Sequence, residues 1–414
     1  MYIMDNPFIK RLKIHSALTL ILCLLFISCT NTVKKAETEV EDGGIREIKI
    51  KENLSNTQSI NLSDIASSIS YVVLETDEKC FVSPSMSIYG SKESIVTIGF
   101  QVSNHVVCYV FDRKTGSFVR QISRAGQGPG EYTELINNYW DEKNEQVCMW
   151  SHPNYIFYNL DGTISHRTPK FKYLVNSFVA YGDLYAGYSP NPIGNNTVRI
   201  AFYDQTGAVV DSIPNNRFFE RTQKMIVIDN YEWLYVFHDE LYFKELFCDT
   251  LYHIKDFTLC PRYIFNTGGL AVPYEIQANP MALIRDEYEQ YINIIKILED
   301  NNFLYFTVEY RNRLYPAIYD KIEDRLKIMH DVSALSQHGR DGRLPNYGFE
   351  NDLDGGLPFW PTQMISEKEM MCVYTAEELL ELDASKITDE NLKNVLNNLE
   401  EDSNPVVAIV TLKD

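Results

Sequence analysis

The 414-residue sequence lacks the short motifs that mark the common catalytic and metal sites. It contains no Cys-x-x-Cys, no His-Glu-x-x-His and no Gly-x-Ser-x-Gly, and its eight histidines show no paired spacing. The glycine-rich segment 126–132 lacks the Gly-Lys-Ser/Thr ending of a phosphate-binding loop. Zinc binding, serine-hydrolase chemistry and P-loop nucleotide binding therefore have no support in the sequence.

Positive charge is also scarce. Lys and Arg together number 38 against 57 Asp and Glu, which gives a net charge of −19. A surface of this sign repels the phosphate backbone, so nucleic acid is excluded as the expected partner. Hydrophobic residues make up 45% of the chain and charged residues 23%, which is the composition of a folded globular protein.

Long apolar runs are missing except near the N-terminus. Three basic residues precede an apolar run at 17–27, whose 11 residues are too few for a membrane-spanning helix of about 20. Basic residues followed by such a run are typical of a secretory signal peptide. The segment Phe26-Ile27-Ser28-Cys29 is similar to a bacterial lipobox. We therefore expect residues 1–28 to be a lipoprotein signal peptide and Cys29 to carry the lipid.

Residues 29–44 are polar and charged, which predicts a flexible tether between the lipid and the folded domain. In bacterial lipoproteins, acidic residues directly after the anchor cysteine resemble an export signal to the outer leaflet. Here the acidic residues begin only at Glu37, so the chain departs from that pattern. The expected partner is thus a membrane, through the lipid on Cys29, and the expected location is the bacterial outer membrane. The sequence leaves its periplasmic and surface sides open. A soluble secreted protein with an incidental Cys29 is the alternative.

The remaining cysteines are widely and irregularly spaced. Cys108, Cys148 and Cys372 lie inside apolar strand-like runs and are predicted to be buried as small hydrophobic residues, because a core of this size needs no disulfides. The spacing leaves open the disulfide status of the other three, Cys80, Cys248 and Cys260.

A repeat of about 45 residues runs through the body of the chain. An aromatic-Asp segment, a turn and an apolar strand recur at turn glycines spaced 46 and 45 residues apart, Gly116, Gly162 and Gly207. A fourth copy is expected at Asp249, and a fifth at Asp320 after an insertion over 261–291. Such a period, with about four short strands in each unit, is typical of propeller blades. Each turn is predicted to join the third and fourth strands of a blade.

Closure of a propeller needs strands from both ends of the chain, because an open ring exposes two sheet edges. Segments 70–75 and 405–412 are apolar and strand-like and are predicted to complete one blade. Residues 377–383 and a helix with Thr388 as its N-cap are predicted to form an insertion that covers this blade. The expected fold is all-β, a six-bladed β-propeller over 45–414 with a small helical insertion in the last blade. An open β-solenoid, whose ends need not meet, is the alternative.

Several segments carry a family resemblance. Residues 124–132, 351–356, 359–361 and 404–407 together resemble the six-bladed β-propeller lipoproteins of Bacteroidetes, which are similar to NHL-repeat propellers. The resemblance covers 45–414 and implies the same fold. It implies no reaction, since the family as a whole has no assigned activity.

Connections between blades emerge on one face of a propeller, so their polar and aromatic residues form the candidate ligand site. The sequence predicts a site made of Arg124, Glu131, Tyr132, Asp352, Asp354 and Trp360. Arg124 would offset the acidic surface for an anionic ligand, and Tyr132 and Trp360 would stack on a sugar, with core packing as the alternative use of Trp360. Asp352 and Asp354 give a weak signal for calcium. No other metal and no cofactor is predicted.

The fold, the expected envelope location and the missing motifs predict a binding or scaffold module for a glycan, a peptide or an envelope protein. The alternative is an enzyme that acts on a glycan or other polymer through carboxylates at the channel mouth, which would lie roughly 5 to 9.5 Å apart. A third possibility is signalling through a partner receptor, for which no deep pocket is expected.

Overall fold

The structure is a computed structural model, and it describes residues 44–83, 86–100, 106–122, 124, 126, 128, 130–132, 138–151, 154–175, 177–221, 234–279, 286–333, 347–383, 385, 387 and 389–413. The predicted signal peptide, Cys29 and all of the tether except Gly44 lie outside these residues. None of the described helices is long and apolar enough to cross a membrane.

The described strands form six small sheets arranged in a ring, so the prediction of a six-bladed β-propeller is confirmed. Each blade is an antiparallel meander of four strands. Blade 1 contains β4 (Ser87–Gly90), β5 (Ser94–Phe100), β6 (Val106–Asp112) and β7 (Phe118–Gln121). Blade 2 contains β8 (Asn138–Asp141), β9 (Gln146–Ser151), β10 (Asn154–Asn159) and β11 (Ile164–Pro169). Blade 3 contains β12 (Ser177–Tyr181), β13 (Leu184–Tyr188), β14 (Val198–Tyr203) and β15 (Val209–Pro214).

Blades 4 to 6 follow the same order. Blade 4 contains β16 (Leu234–Phe237), β17 (Glu240–Lys244), β18 (Thr250–Lys255) and β19 (Thr258–Asn266). Blade 5 contains β20 (Asn293–Glu299), β21 (Phe303–Tyr310), β22 (Arg313–Asp320) and β23 (Arg325–Met329), with the short β24 (Val332–Ser333) beside β22. Blade 6 contains β25 (Gln363–Ser366), β26 (Glu369–Tyr374), β27 (Val406–Leu412) and β3 (Ala66–Val73). The first strands of neighbouring blades approach one another most closely, so they surround the axis.

The remaining elements lie outside the blade meanders. They are β1 (Arg46–Lys49), β2 (Thr57–Gln58), the helices α1 (Ile50–Asn53), α2 (Asp286–Glu289), α3 (Ala376–Leu380) and α4 (Glu390–Asn397), and the 3-10 helices Leu62–Asp64 and Tyr274–Ala278.

The hydrophobic core is divided among the spaces between blades. Alternate residues of a strand face opposite sides of its sheet, so each blade contributes apolar side chains to two of these spaces. Between blades 3 and 4, for example, Ile200 and Phe202 pack with Leu241 and Phe243, all fully buried. Cys108, Cys148 and Cys372 are buried in such cores, as predicted, and all six described cysteines are free thiols, including the three left open.

The two ends of the described chain close the ring. β3 from the N-terminal side pairs antiparallel with β27 from the C-terminal side, with Tyr71 opposite Ala408. Asn404, fully buried beside this pair, donates hydrogen bonds to the carbonyls of Glu75 (2.7 Å) and Cys80 (2.9 Å). The predicted closure is confirmed and the open solenoid is excluded.

The repeated turn has the predicted place in blades 1, 2 and 3. Gly116, Gly162 and Gly207 lie between the third and fourth strands with φ of +72°, +86° and +81°, which a residue with a Cβ rarely adopts. The turn aspartates complete the motif: Asp204 accepts hydrogen bonds from the Thr206 amide (2.8 Å) and hydroxyl (2.6 Å). Hydrogen bonds from Thr206 lower the pKa of Asp204 below its usual value. These aspartates therefore stabilise turns.

The fourth copy of the repeat was assigned wrongly. Asp249 lies between the second and third strands of blade 4, at the opposite face from the repeated turns. The equivalent turn is Asp256-Phe257, where both residues have positive φ (48° and 56°). This two-residue turn contains no glycine, so it left no signal in the sequence, whereas Phe247-Cys248-Asp249 imitates the motif by composition. The fifth copy, at Asp320, ends the third strand of blade 5 as predicted.

The helical insertion of the last blade is present between β26 and β27 as α3 and α4. The N-cap of α4 is Asp389, which accepts hydrogen bonds from the amides of Asn391 (2.8 Å) and Leu392 (2.9 Å), and not Thr388, which lies outside the described residues. Helix α4 packs against β3, with Leu392 fully buried, so the insertion covers the closing strand.

An N-terminal belt, formed by residues 46–58, covers the outer edges of two blades. β1 runs parallel to β19 of blade 4, and β2 runs parallel to β23 of blade 5. Ile48 and Ile50 of the belt are buried in the core between these blades. The belt pairs two sheet edges that would otherwise be exposed.

We predict that Ile50→Ala lowers the free energy of unfolding by about 2–5 kcal/mol, because it leaves a cavity in the core between blades 4 and 5. The matched control is Ile45→Ala, since Ile45 is 59% exposed, and its effect should stay within about 0.5 kcal/mol. Urea unfolding followed by circular dichroism measures both. Equal stability of the two variants would show that the belt contributes nothing to folding.

Candidate functional site

The two faces of the propeller carry different connections. Strand directions alternate in each blade, so the tight turns between third and fourth strands lie on one face, here called the lower face. The loops between second and third strands and the connections between blades lie on the other, here called the upper face. The longer irregular segments among the described residues, such as 189–197, 215–221 and 347–362, belong to the upper face, and loops of this kind often carry binding sites.

The first group of predicted site residues lies in the connection from blade 1 to blade 2. Glu131 accepts a hydrogen bond from Arg124 Nε (2.5 Å) and one from the Gly128 amide (2.8 Å). A Cβ on Gly126 would lie 1.9 Å from Glu131 Oε2, so the glycines let the loop close around this carboxylate. Tyr132 is 2% exposed and its hydroxyl donates to the Val106 carbonyl.

The second group lies in the connection from blade 5 to blade 6. Asp352 accepts hydrogen bonds from the Ser63 amide (2.9 Å) and hydroxyl (2.5 Å), which outweigh the effect of burial and lower its pKa. Asp354, which is buried, accepts hydrogen bonds from the Tyr71 hydroxyl (2.8 Å) and the Gly356 amide (2.8 Å). Both carboxylates thus fasten this connection to the N-terminal segment that closes the ring.

The aromatic residues of the predicted site belong to the core. Trp360 is 7% exposed and packs on Phe349 and Tyr347, with ring centroids 5.7 and 6.0 Å away. Like Tyr132, it would have to leave the core to stack on a sugar, so its alternative use in core packing is the one observed. Blades 6 and 1 separate the two groups, which therefore do not form a single cluster.

The loop with Asp352 and Asp354 was also the candidate for calcium. Both carboxylates already serve protein donors. Among the described residues there is no cluster of three or more His, Cys, Asp and Glu side chains that could hold a metal ion. Calcium binding at this loop stays a prediction.

A different part of the upper face presents a rigid surface. Two of its segments, 189–197 between β13 and β14 and 215–221 after β15, are joined by asparagine side chains. Asn196 Nδ2 donates to the carbonyls of Ser189 (3.1 Å) and Pro190 (2.9 Å), and its Oδ1 accepts from the Val198 amide (3.2 Å). Asn191 Nδ2 donates to the Arg217 carbonyl across the two segments (2.9 Å).

An ion cluster lies under these segments. Glu245, in the loop between β17 and β18, forms an ion pair with Arg199 (3.2 Å) and accepts a hydrogen bond from Arg217 (3.4 Å), and its side chain is 3% exposed. Burial raises the pKa of Glu245, and the two arginines oppose that rise without cancelling it. The Arg217 guanidinium lies 3.9 Å from the ring centroid of Tyr274, in a cation–π contact.

Two guanidinium groups share one carboxylate, which leaves a surplus of positive charge, as do the two cations paired with Glu299 described below. Two further properties distinguish this cluster from a purely structural ion pair. The Nε of Arg199 is buried and has no hydrogen-bond partner among the residues that the structure describes, although buried donors are nearly always paired. The side chains of Arg217, Ile193 and Phe218 reach the surface. We call the set Ile193, Arg199, Arg217, Phe218 and Tyr274 the arginine platform.

A second buried ion cluster shows the contrast. Glu299, at the interface of blades 4 and 5, accepts hydrogen bonds from Arg262 (2.9 Å), Lys321 (3.0 Å) and the Tyr235 hydroxyl (2.8 Å), and its side chain is fully buried. Both oxygens of this carboxylate have donors, and the carboxylate itself is closed to solvent. Its role is to hold two blades together.

The arginine platform was missed by sequence analysis. Arg199, Arg217 and Glu245 come from three separate segments and converge only when blades 3 and 4 pack. The only local signal is the run of Asn and Gly residues at 191–196 and 215–216, which indicates a structured loop but no ligand.

Comparison with known proteins places the chain. Residues 45–411 match the family described as "Domain of unknown function (DUF4934)". The chain belongs to the DUF4934 family. A comparison of this DUF4934 chain with the curated proteins finds no match.

One of two similar solved structures supports the fold of the DUF4934 chain. A protein of Bacteroides fragilis, whose name describes it as inferred to be exported, is similar to this chain. The TM-score is 0.64 and the identity is 17%, over 90% of this chain and 100% of that one. A member of the DUF4221 family from Bacteroides vulgatus has a TM-score of 0.48 and 12% identity over 84% and 97% of the two chains. The first similarity shows a shared fold.

We predict that Asn196→Ala lowers the free energy of unfolding by about 1–3 kcal/mol, because it leaves buried carbonyls and an amide without partners. Asn195→Ala is the matched control, since the neighbouring Asn195 is exposed, and its effect should stay within about 0.5 kcal/mol. Chemical denaturation measures both. A neutral Asn196→Ala variant would show that the asparagines do not hold the platform.

Proposed function

We propose that this DUF4934 protein is a lipid-anchored propeller of the bacterial outer membrane that acts as a binding or scaffold module for a glycan, a peptide or an envelope protein. The signal-like N-terminus and Cys29 support the anchor. The propeller supports the module, because it is a rigid ring whose connections gather on one face. The Bacteroides fragilis protein with the same fold, whose name describes it as inferred to be exported, is in keeping with this location.

The arginine platform carries the proposal of binding. A buried guanidinium with an unpaired Nε–H lies beside a second, partly exposed guanidinium, and both are positioned by one carboxylate. A carboxylate on the ligand would pair with Arg217 and offset the surplus charge, and such charge-assisted hydrogen bonds are the strong ones. The exposed Ile193 and Phe218 offer apolar contact beside it.

The charge of the whole chain narrows the ligand. A net charge of −19 repels polyanions at long range. A ligand that is mostly neutral avoids this long-range repulsion. An isolated carboxylate on such a ligand, as in an acidic sugar unit or a peptide terminus, can still pair with Arg217.

We place binding before the enzymatic alternative, because the enclosed glutamates described below are not free to act as acid and base. Catalysis on a glycan needs a pair of carboxyl groups free to exchange protons with the substrate. The buried glutamates Glu245 and Glu299 serve arginine or lysine donors. Glu309 accepts from the Tyr288 hydroxyl (3.1 Å) and Asn293 (3.4 Å). These carboxylates are committed to protein partners.

Arrays of glycans and peptides, with neutral and carboxylate-bearing members, test the proposal on the purified mature chain while turnover is followed in parallel. We predict that carboxylate-bearing ligands bind and that Arg217→Ala weakens them by roughly 10- to 100-fold, the equivalent of one charge-assisted hydrogen bond. Arg167→Ala is the control, since Arg167 is exposed on the outer strand of blade 2. Undiminished binding by Arg217→Ala would refute the platform as the site.

The anchor is tested separately. We predict that Cys29→Ser moves the protein from the membrane to the soluble fraction, because a lipid on Cys29 is the proposed attachment. Cys23→Ser is the matched control, since Cys23 lies in the apolar run of the predicted signal and should leave with it. Immunoblots of fractionated cells measure both. Retention of the Cys29→Ser protein with the outer membrane would mean that the lipobox assignment is wrong.

A further inference from the structure

The innermost strand of blade 5 contains an irregularity. The pairing of β20 with β21 shifts register between Ile295 and Leu298. Lys296 and Ile297 together lie opposite the single residue Phe306, so β20 has one extra residue at this point. Such an extra residue is a β-bulge. Lys296 has a φ of +51°, and bulges of this kind serve to redirect a side chain.

Lys296 stands in the chain between residues that pack against both neighbouring blades. Ile294 and Ile297 pack in the core shared with blade 4, and Leu298 packs in the core shared with blade 6. Apolar side chains thus occupy the positions that face the blades on either side of Lys296. Because β20 is the innermost strand of its blade, we infer that the half-buried Lys296 extends toward the axis of the ring.

The Lys296 ammonium group has no hydrogen bond or ion pair with any residue that the structure describes. Burial lowers its pKa to about 8, and no neighbouring charge counteracts that shift. The adjacent strand β25 carries no titratable side chain. On β21, Tyr305 donates to Asp300 (2.6 Å) and Glu309 accepts from Tyr288.

Lys296 is also the single cation in the six innermost strands β4, β8, β12, β16, β20 and β25 as the structure describes them. Their two acidic residues are committed elsewhere. Asp141 accepts hydrogen bonds from the amide (3.1 Å) and side chain (2.9 Å) of Asn144, and Glu299 serves Arg262 and Lys321. The strands around the axis therefore offer Lys296 no counter-charge.

We propose that the central channel binds a small oxyanion, a carboxylate or a phosphate, at Lys296. A half-buried ammonium among neutral walls is costly unless an anion accompanies it, and an inner-strand bulge that presents it to the axis puts such an anion within reach. This site is distinct from the arginine platform, whose arginines belong to blade 3 and the connection that follows it. The inference holds whether or not the platform binds a ligand.

The thermal unfolding of the mature chain at pH 7 tests the proposal, in sodium chloride, phosphate and acetate at equal ionic strength. For wild type we expect a saturable rise in Tm with phosphate or acetate over chloride, and the larger rise identifies the anion class. Lys296→Met should lose this rise and should be at least as stable as wild type in chloride, because it removes an unpaired charge. Lys114→Met is the control, since Lys114 lies exposed in the turn after β6.

Either of two results would overturn the proposal. One is an equal rise in Tm for Lys296→Met and wild type. The other is no rise for wild type up to roughly 100 mM anion, a hundredfold excess over a millimolar dissociation constant.

A labelling experiment on wild type decides the matter if Lys296→Met does not fold. At pH 8 a substantial fraction of the Lys296 amine is neutral, so an amine-reactive reagent should label it faster than Lys114, as measured by peptide mapping. The bound anion should stabilise the ammonium form and shield it, which slows labelling at Lys296 by several-fold and leaves Lys114 unchanged. Labelling of Lys296 that is insensitive to phosphate and acetate would contradict the proposal.

Discussion

The pairing of β3 with β27 is the contact on which the rest of the structure depends. Each core lies between two blades, so no blade is complete until both of its neighbours are in place. Blade 6 is built from the two ends of the folded domain, and without β3 its outer edge and the core against blade 5 would be open. Closure is therefore the condition for every other core.

Much of the sequence that looked like a ligand site serves this closure. Asp352 and Asp354 bind Ser63 and Tyr71, which belong to the closing segment, and Asn404 fixes the backbone that leaves β3. The glycine-rich loop also has a structural role, because it closes around the carboxylate of Glu131. Contacts of this kind fix the connections between blades, so the surfaces that we propose for ligands are positioned by the fold itself, and the ordering cost of binding there would be small.

The sequence allowed the architecture to be predicted because its signals are local and periodic. Turn glycines at a fixed spacing and apolar strands at both ends are sufficient for the blade count and for closure. The misplaced fourth turn shows the limit, since a glycine-free turn at Asp256 leaves no mark while Asp249 imitates one. The belt and the arginine platform were missed for a different reason. β1 and β2 are short strands whose partners lie far along the chain, and Arg199, Arg217 and Glu245 meet only through the packing of two blades.

Some buried charged groups of this protein have a partner for every polar atom, and others do not. The ligand sites that we propose rest on this difference. Glu299 has a donor for each oxygen and lies where two blades must adhere, so nothing remains for a ligand to satisfy. Arg199 keeps an unpaired Nε–H, and Lys296 keeps an unpaired ammonium on a strained bulge. Burying an unpaired ammonium, as at Lys296, or an unpaired donor, as at the Nε–H of the ion-paired Arg199, costs free energy that no described protein partner offsets. We propose that an anion completes each of these sites, through Arg217 at the arginine platform and directly at Lys296.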